Sequence, residues 1–244
     1  IQPPRPPPRA AVLDRRQHMI SRIVRLLDST VGYKVVIAAT GLALIGFVIA
    51  HMLGNLQIFA GQEALNNYAK KLKDLGSLLW VARIGLIVAF AVHIAATIRL
   101  SIKNRRATGQ RYAGRRYQAS SAASRTMLWT GLFVLFFVAF HLAHFTFGLV
   151  QPAAYDLTDE QGRHDVYAMV VAGFENWLIA VFYIVALVLL AMHLSHAMFS
   201  LVRTLGGRLG NDSVRAQRAA IAVSILVVAG FIAVPVAVVL GITK

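Results

Sequence analysis

The chain has 244 residues, of which 57% are hydrophobic, and its mean hydropathy of +0.63 is too apolar for an ordinary soluble domain. Lys and Arg outnumber Asp and Glu by 25 to 10, but they gather in alternate loops, which argues against a nucleic-acid surface and for membrane topology. With no cysteine the chain can build no disulfide, iron–sulfur cluster or c-type haem attachment, so His, Met or carboxylates must hold any cofactor.

Residues 1–18 interleave Pro3, Pro4, Pro6, Pro7 and Pro8 with Arg5 and Arg9, a composition that packs no core and reads as a flexible cytoplasmic tail. It does not read as a signal peptide, because the first apolar run is too long and continues into the fold. Ile1 is an unusual first residue, and the expectation is that sequence is missing ahead of it. Residues 19–30 set Ile20, Ile23, Val24 and Leu27 beside Arg22 and Arg25, a spacing that suits a helix lying on the membrane surface.

Residues 31–244 are expected to form an all-α integral membrane domain of five helices. A bilayer core needs about 20 mostly apolar residues per helix, and stretches 33–60, 78–102, 126–150, 176–202 and 217–242 satisfy this. The tail, the second loop (Lys103, Arg105, Arg106, Arg111, Arg115, Arg116, Arg125) and the fourth (Arg208, Arg215, Arg218) carry the positive charge. The first loop (Glu63, Lys70, Lys71, Lys73, Asp74) and the third (Asp156, Asp159, Glu160, Arg163, Asp165, Glu175) are mixed or acidic. The positive-inside rule then puts the N-terminus in the cytoplasm and the C-terminus outside, across the inner (cytoplasmic) membrane.

His18 and His164 fall in the tail and a loop, where solvated side chains are the default. His51, His93, His141, His144, His193 and His196 fall inside four of the five spans, where an ionisable group is costly enough to be a functional candidate. His51 and His141 each lie roughly nine residues, or about 13 Å, before the outer end of a span running outward. His93 and His196 lie six and seven residues before Arg99 and Arg203, which mark the inner boundary. Two pairs at two depths is what clamping two flat macrocycles inside a bundle requires, each iron having both axial positions filled.

His144 and His193 accompany His141 and His196 at a spacing of three and project from nearly the same face. Depth favours His141 and His196 as ligands, leaving the companions to bond a propionate, orient a ligand or line a quinone pocket. A zinc or di-iron site would be expected to bring carboxylates, and no Asp or Glu lies within a span core. Arg83, near the outer start of the second span, is a candidate partner for an outer propionate.

Several segments in order resemble one family. They are Gly32-Tyr33-Lys34 with Thr40-Gly41-Leu42, then His51-Met52-Leu53-Gly54-Asn55-Leu56-Gln57, then His141-Leu142-Ala143-His144-Phe145-Thr146-Phe147-Gly148, and His193-Leu194-Ser195-His196 leading to Arg203-Thr204-Leu205-Gly206. The chain after its tail is similar to the five-helix, di-haem cytochrome b membrane anchor of succinate dehydrogenases and fumarate reductases. The resemblance implies two b haems, the outer on His51 and His141 and the inner on His93 and His196. It also implies a flavoprotein subunit and an iron–sulfur subunit on the cytoplasmic face, menaquinone or ubiquinone as exchangeable substrate, and room for a trimer of such complexes. The chain itself would be an electron-transfer subunit with no catalytic residue. Alternatives are the cytochrome b subunit of another quinone-linked oxidoreductase, or a transporter relaying protons through its histidines. A transporter would be expected to show internal repeats or helices broken near the midplane, and Pro235 is the only proline inside a span.

Overall fold

A computed structural model describes residues 21, 26, 28–107, 122–204 and 212–243. The expected tail (1–18) and nearly all of the expected surface helix (19–30) lie outside the described residues. The described chain is all-α, and five of its helices are long and apolar enough to cross a membrane.

The Ser29 hydroxyl accepts the Gly32 N–H at 2.9 Å and so caps α1 (Thr30–Asn55), which tightens into a 3₁₀ turn over Leu56–Ala60. After Gly61 the first loop winds into an amphipathic helix, α2 (Gln62–Asp74). Gly76 at φ +53° then reverses the chain into α3 (Ser77–Ala107), a backbone state that favours glycine. Next come α4 (Ala122–His141), α5 (Pro152–Tyr155), α6 (Val166–Glu175), α7 (Trp177–Thr204) and α8 (Ser213–Val239). The spanning helices are α1, α3, α4, α7 and α8.

The third expected span and the loop after it both differ from expectation. The helix stops short of residue 150, because after His141 the chain widens into a π turn over Leu142–Thr146, the Phe147 N–H bonding the Leu142 carbonyl at 2.9 Å. Gly148 at φ +64° ends it; a Cβ there would come within 2.5 Å of the Tyr155 ring. The third loop is also more than polar connection, for α6 is apolar and buries Met169, Val171 and Phe174. At ten residues it is too short to register as a span.

At the end of the bundle that carries α2 and α6, called outer after the expectation from loop charge, Ile58, Leu65, Phe137, Val171, Phe174, Ala180, Tyr183, Ala186, Val234 and Val238 form one core cluster. Deeper, Met52, Leu194 and Val227 form a second, which joins α1, α7 and α8. Gly230 makes that contact close, since a Cβ there would meet the Met52 sulfur at 2.6 Å. In contrast α3 rests on α1 and turns Leu78, Val81, Ile84, Ile87 and Val88 outward, as a lipid-facing helix does.

A polar network ties α2 to the third loop over the outer core. Asn66, 1% exposed, donates to Asp159 at 3.1 Å and Asp165 at 3.0 Å, while its carbonyl accepts the Tyr167 N–H at 3.0 Å. Gln62 donates to Asp165 at 2.6 Å, and Asp165 caps α6 by accepting the Ala168 N–H. Arg163 pairs with Glu63 and Asp159, both at 2.7 Å. Arg163, with help from Asn67 and Gln161, holds the Glu63 carboxyl below its ordinary value. Burial pushes Asp159 upward, but hydrogen bonds from the Arg163 backbone and guanidinium, Asn66 and the Gln161 backbone together outweigh it and the net shift is down.

Both carboxylates therefore stabilise the fold fully above their unfolded values near pH 4, and that contribution is lost as pH falls through the lower folded values. The protection of the amides of residues 159–167, relative to their intrinsic exchange at the same pH, is expected to fall on acidification below about pH 4, and Arg163→Gln is expected to remove most of that acid dependence. Asn66→Leu leaves buried partners short of a hydrogen bond and is expected to cost about 1–3 kcal/mol, read as a lower thermal midpoint in detergent.

Candidate functional site

The six span histidines separate into two levels. At the outer level, His51 of α1 and His141 at the end of α4 face one another, ring centroids 5.8 Å apart and planes inclined by 75°. His51 stacks on Phe47 of its own helix at 5.4 Å and meets Phe231 of α8 at 5.7 Å. Around His141 stand Phe137, Phe145 and Tyr183.

Hydrogen bonding separates His141 from His144. His144 is 2% exposed, with Nδ1 3.0 Å from the Tyr183 hydroxyl and Nε2 3.0 Å from Gln151 Oε1. The Gln151 amide N–H₂ is turned to the Ala172 carbonyl, so Oε1 accepts from His144 Nε2 and His144 Nδ1 accepts from Tyr183. The Tyr183 oxygen is then left to accept from His141 Nδ1, 3.5 Å away. The outcome is that both nitrogens of His144 are committed, whereas His141 keeps Nε2 as a free basic nitrogen.

At the inner level stand His93 of α3 and His193 of α7. Each of the two is seated against an odd-numbered span in the same way. His93 Nδ1 lies 3.1 Å from Thr40 Oγ1, and a Cβ on Gly41 would touch its Cε1 at 3.4 Å. His193 Nδ1 lies 3.4 Å from Thr130 Oγ1, and a Cβ on Gly131 would approach its Cε1 to 3.2 Å. His196 sits about one turn further in, its Nε2 3.5 Å from Ser200 of its own helix.

Depth measured from Arg99 and Arg203 favours His196, but a long Arg side chain reaches the interface from more than one turn away and marks it only loosely. The sequence also holds an internal repeat. Thr40-Gly41-Leu42 precedes His51 as Thr130-Gly131-Leu132 precedes His141, with eleven residues from Thr to His in both cases. Ala91-Val92-His93-Ile94 likewise matches Ala191-Met192-His193-Leu194. Eleven residues make three helical turns, so Thr-Gly and His share a face with a rise of about 16 Å between them. Helices α1 and α4 thus each carry a histidine for one level and a seat for the other level's histidine.

Arg83 is exposed on α3, its guanidinium 5.2 Å over the Trp80 ring. His164 is half-buried against Tyr155, 5.1 Å between rings, and burial pushes its imidazole down from its ordinary value.

Among the described residues no three His, Cys, Asp or Glu side chains gather as a metal site of their own. The histidines come in twos, which suits a macrocycle that supplies the other ligands itself. Two metal–imidazole bonds of about 2 Å plus two half-rings of about 1 Å give roughly 6 Å between ring centres, against 5.8 Å for His51 and His141.

The chain matches no protein-family model, no curated protein and no solved structure. What it does is therefore argued from its own residues.

Tyr183→Phe is expected to leave His144 Nδ1 and His141 Nδ1 without their shared partner, lowering stability by about 1–3 kcal/mol. Thermal unfolding of the detergent-solubilised chain measures it, and His144→Phe in the same background should recover part of the loss by removing one of the stranded nitrogens.

Proposed function

We propose that this chain is the membrane-anchor cytochrome b subunit of a succinate:quinone oxidoreductase, passing electrons from an iron–sulfur subunit through two b haems to a quinone. The observation that carries the reading is the meeting of His51 with His141, beside a second pair, His93 and His193, seated alike against Thr40 and Thr130, with one basic nitrogen free on each of His141, His93 and His193. His51 and His141 would hold the outer haem, and His93 and His193 the inner one. Iron held by two imidazoles in a porphyrin takes up and releases single electrons and offers no open position to oxygen or substrate. The residues around the pairs fit that use: the outer pair is walled by Phe47, Phe137, Phe145 and Phe231, which keep water and its protons away.

The segment resemblance supports succinate or fumarate as the soluble substrate, with flavoprotein and iron–sulfur subunits docked on the cytoplasmic side where the basic loops lie. Orientation follows from the same charge bias, the N-terminus cytoplasmic and the C-terminus outside the inner membrane. Menaquinone or ubiquinone would reach the chain through the bilayer.

A second reading, a proton-coupled transporter, gains from the internal repeat, one of the marks such proteins carry. The other mark is missing from the described residues of α1, α3 and α7, which run unbroken past their histidines.

A reduced-minus-oxidised spectrum with pyridine haemochrome quantification separates the two. Two b haems per chain are expected, one lost in His51→Ala or His141→Ala and the other in His93→Ala or His193→Ala. His144→Ala and His196→Ala are expected to keep both. A chain purified from its membrane without haem would move the transporter to the front.

A further inference from the structure

We propose that Thr40 and Thr130 are positioning residues for the inner histidine pair, fixing the tautomer of His93 and His193 and setting how strongly they donate to a bound iron. The inference deepens the haem reading above and rests on it.

The argument begins with the hydroxyl protons. Thr40 Oγ1 lies 2.7 Å from the Val36 carbonyl one turn back, so its proton is committed there. The oxygen can then only accept, and the neighbour at 3.1 Å, His93 Nδ1, must carry the proton. The Ile37 carbonyl, 3.2 Å from Thr40 Oγ1, is a second acceptor for the same hydroxyl proton. Thr130 repeats the arrangement, its hydroxyl donating to the Met127 carbonyl at 3.1 Å and facing His193 Nδ1 at 3.4 Å. In both rings Nε2 is left as the one basic nitrogen, and an acceptor on Nδ1–H raises its basicity. Gly41 and Gly131 follow each threonine directly and let the ring lie close enough for the bond to form.

Chance placement of two threonines explains this poorly. Both are followed by Gly-Leu, both stand eleven residues before a histidine of the other level, and both meet the Nδ1 of the matching histidine in the repeat. The outer pair is served differently, by the Tyr183 phenol at His141. The two levels therefore differ in the acceptor their ligands see, and an aliphatic hydroxyl removed from the inner one should leave the outer untouched.

The test uses the full chain in its complex, with Thr40→Val, Thr130→Val and the matching Ser variants. The readouts are an equilibrium redox titration of the haem absorption and the low-temperature electron paramagnetic resonance of the ferric state. Val keeps the shape and loses the acceptor, so each Val variant is expected to shift one midpoint upward, the same one in both. One ferric signal should move with it, and the Ser variants should restore both. A Val variant that loses one haem while its Ser counterpart keeps two supports the same role. Midpoints and signals unmoved by either Val, a different step moved by each, or Ser variants as altered as Val would overturn it. A wild-type chain with no haem overturns the reading beneath it, whereas a two-haem wild type with silent Val variants overturns the threonines alone.

Discussion

An imidazole inside hydrocarbon has an N–H that water cannot satisfy, and the rest of this bundle is arranged around supplying that bond. A buried polar group without a partner costs on the order of 1–3 kcal/mol, so histidines in the spans are stabilised where neighbouring helices bring acceptors to them. Thr40 does this for His93, Thr130 for His193 and Tyr183 for His141. In each case the acceptor's own proton is already given to a carbonyl or to His144, which forces the direction of the bond and frees Nε2. Satisfying the polar group and presenting a basic nitrogen are one structural act.

Helix periodicity turns this local rule into an architecture. Because eleven residues close three turns, a helix that seats a histidine at one level automatically aims its own histidine at the other. One such helix and its partner, repeated once, give four helices and two levels. The fifth, α8, stands outside the repeat and bears no histidine; it packs along α7 and brings Gly230 onto Met52 and Phe231 onto His51. Its work is to close the side of the bundle that the repeat leaves open.

The spans and the meeting of His51 with His141 were legible in the sequence because each depends on a single physical measure, apolar length in one case and rise per residue in the other. Depth separates His193 from His196 only weakly, since both lie on one face a turn apart and the boundary residues used to measure them are long and flexible. The repeat, which compares histidines with their seats instead of with the membrane surface, favours His193 in the proposal made above. The outer cap escaped altogether. Asn66, Asp165 and Arg163 are distant in sequence and look like ordinary loop residues until α2 and the third loop are placed against one another. The π turn beyond His141 leaves no composition signal, because Phe147 reaching back to Leu142 is a choice made by packing.

The same geometry explains how α3 is held although its outward face meets no other helix. At the outer end it is tied through the two-residue turn at Leu75 and Gly76 to α2, which the cap network anchors. At mid-height His93 reaches Thr40. At the inner end Lys103 donates to the Asp28 carbonyl at 2.5 Å and lies 5.8 Å over the Tyr33 ring, whose hydroxyl donates to the Asp28 carboxylate at 2.7 Å. Between these points α3 touches α1 through small residues such as Ala96, 5% exposed, which contribute close approach but little area. A helix fastened at three points and otherwise facing lipid owes its rotation about its own axis to those points. The orientation of His93 is therefore set by separate attachments at Asp28, Thr40 and Gly76 together with the packing of α3 on α1.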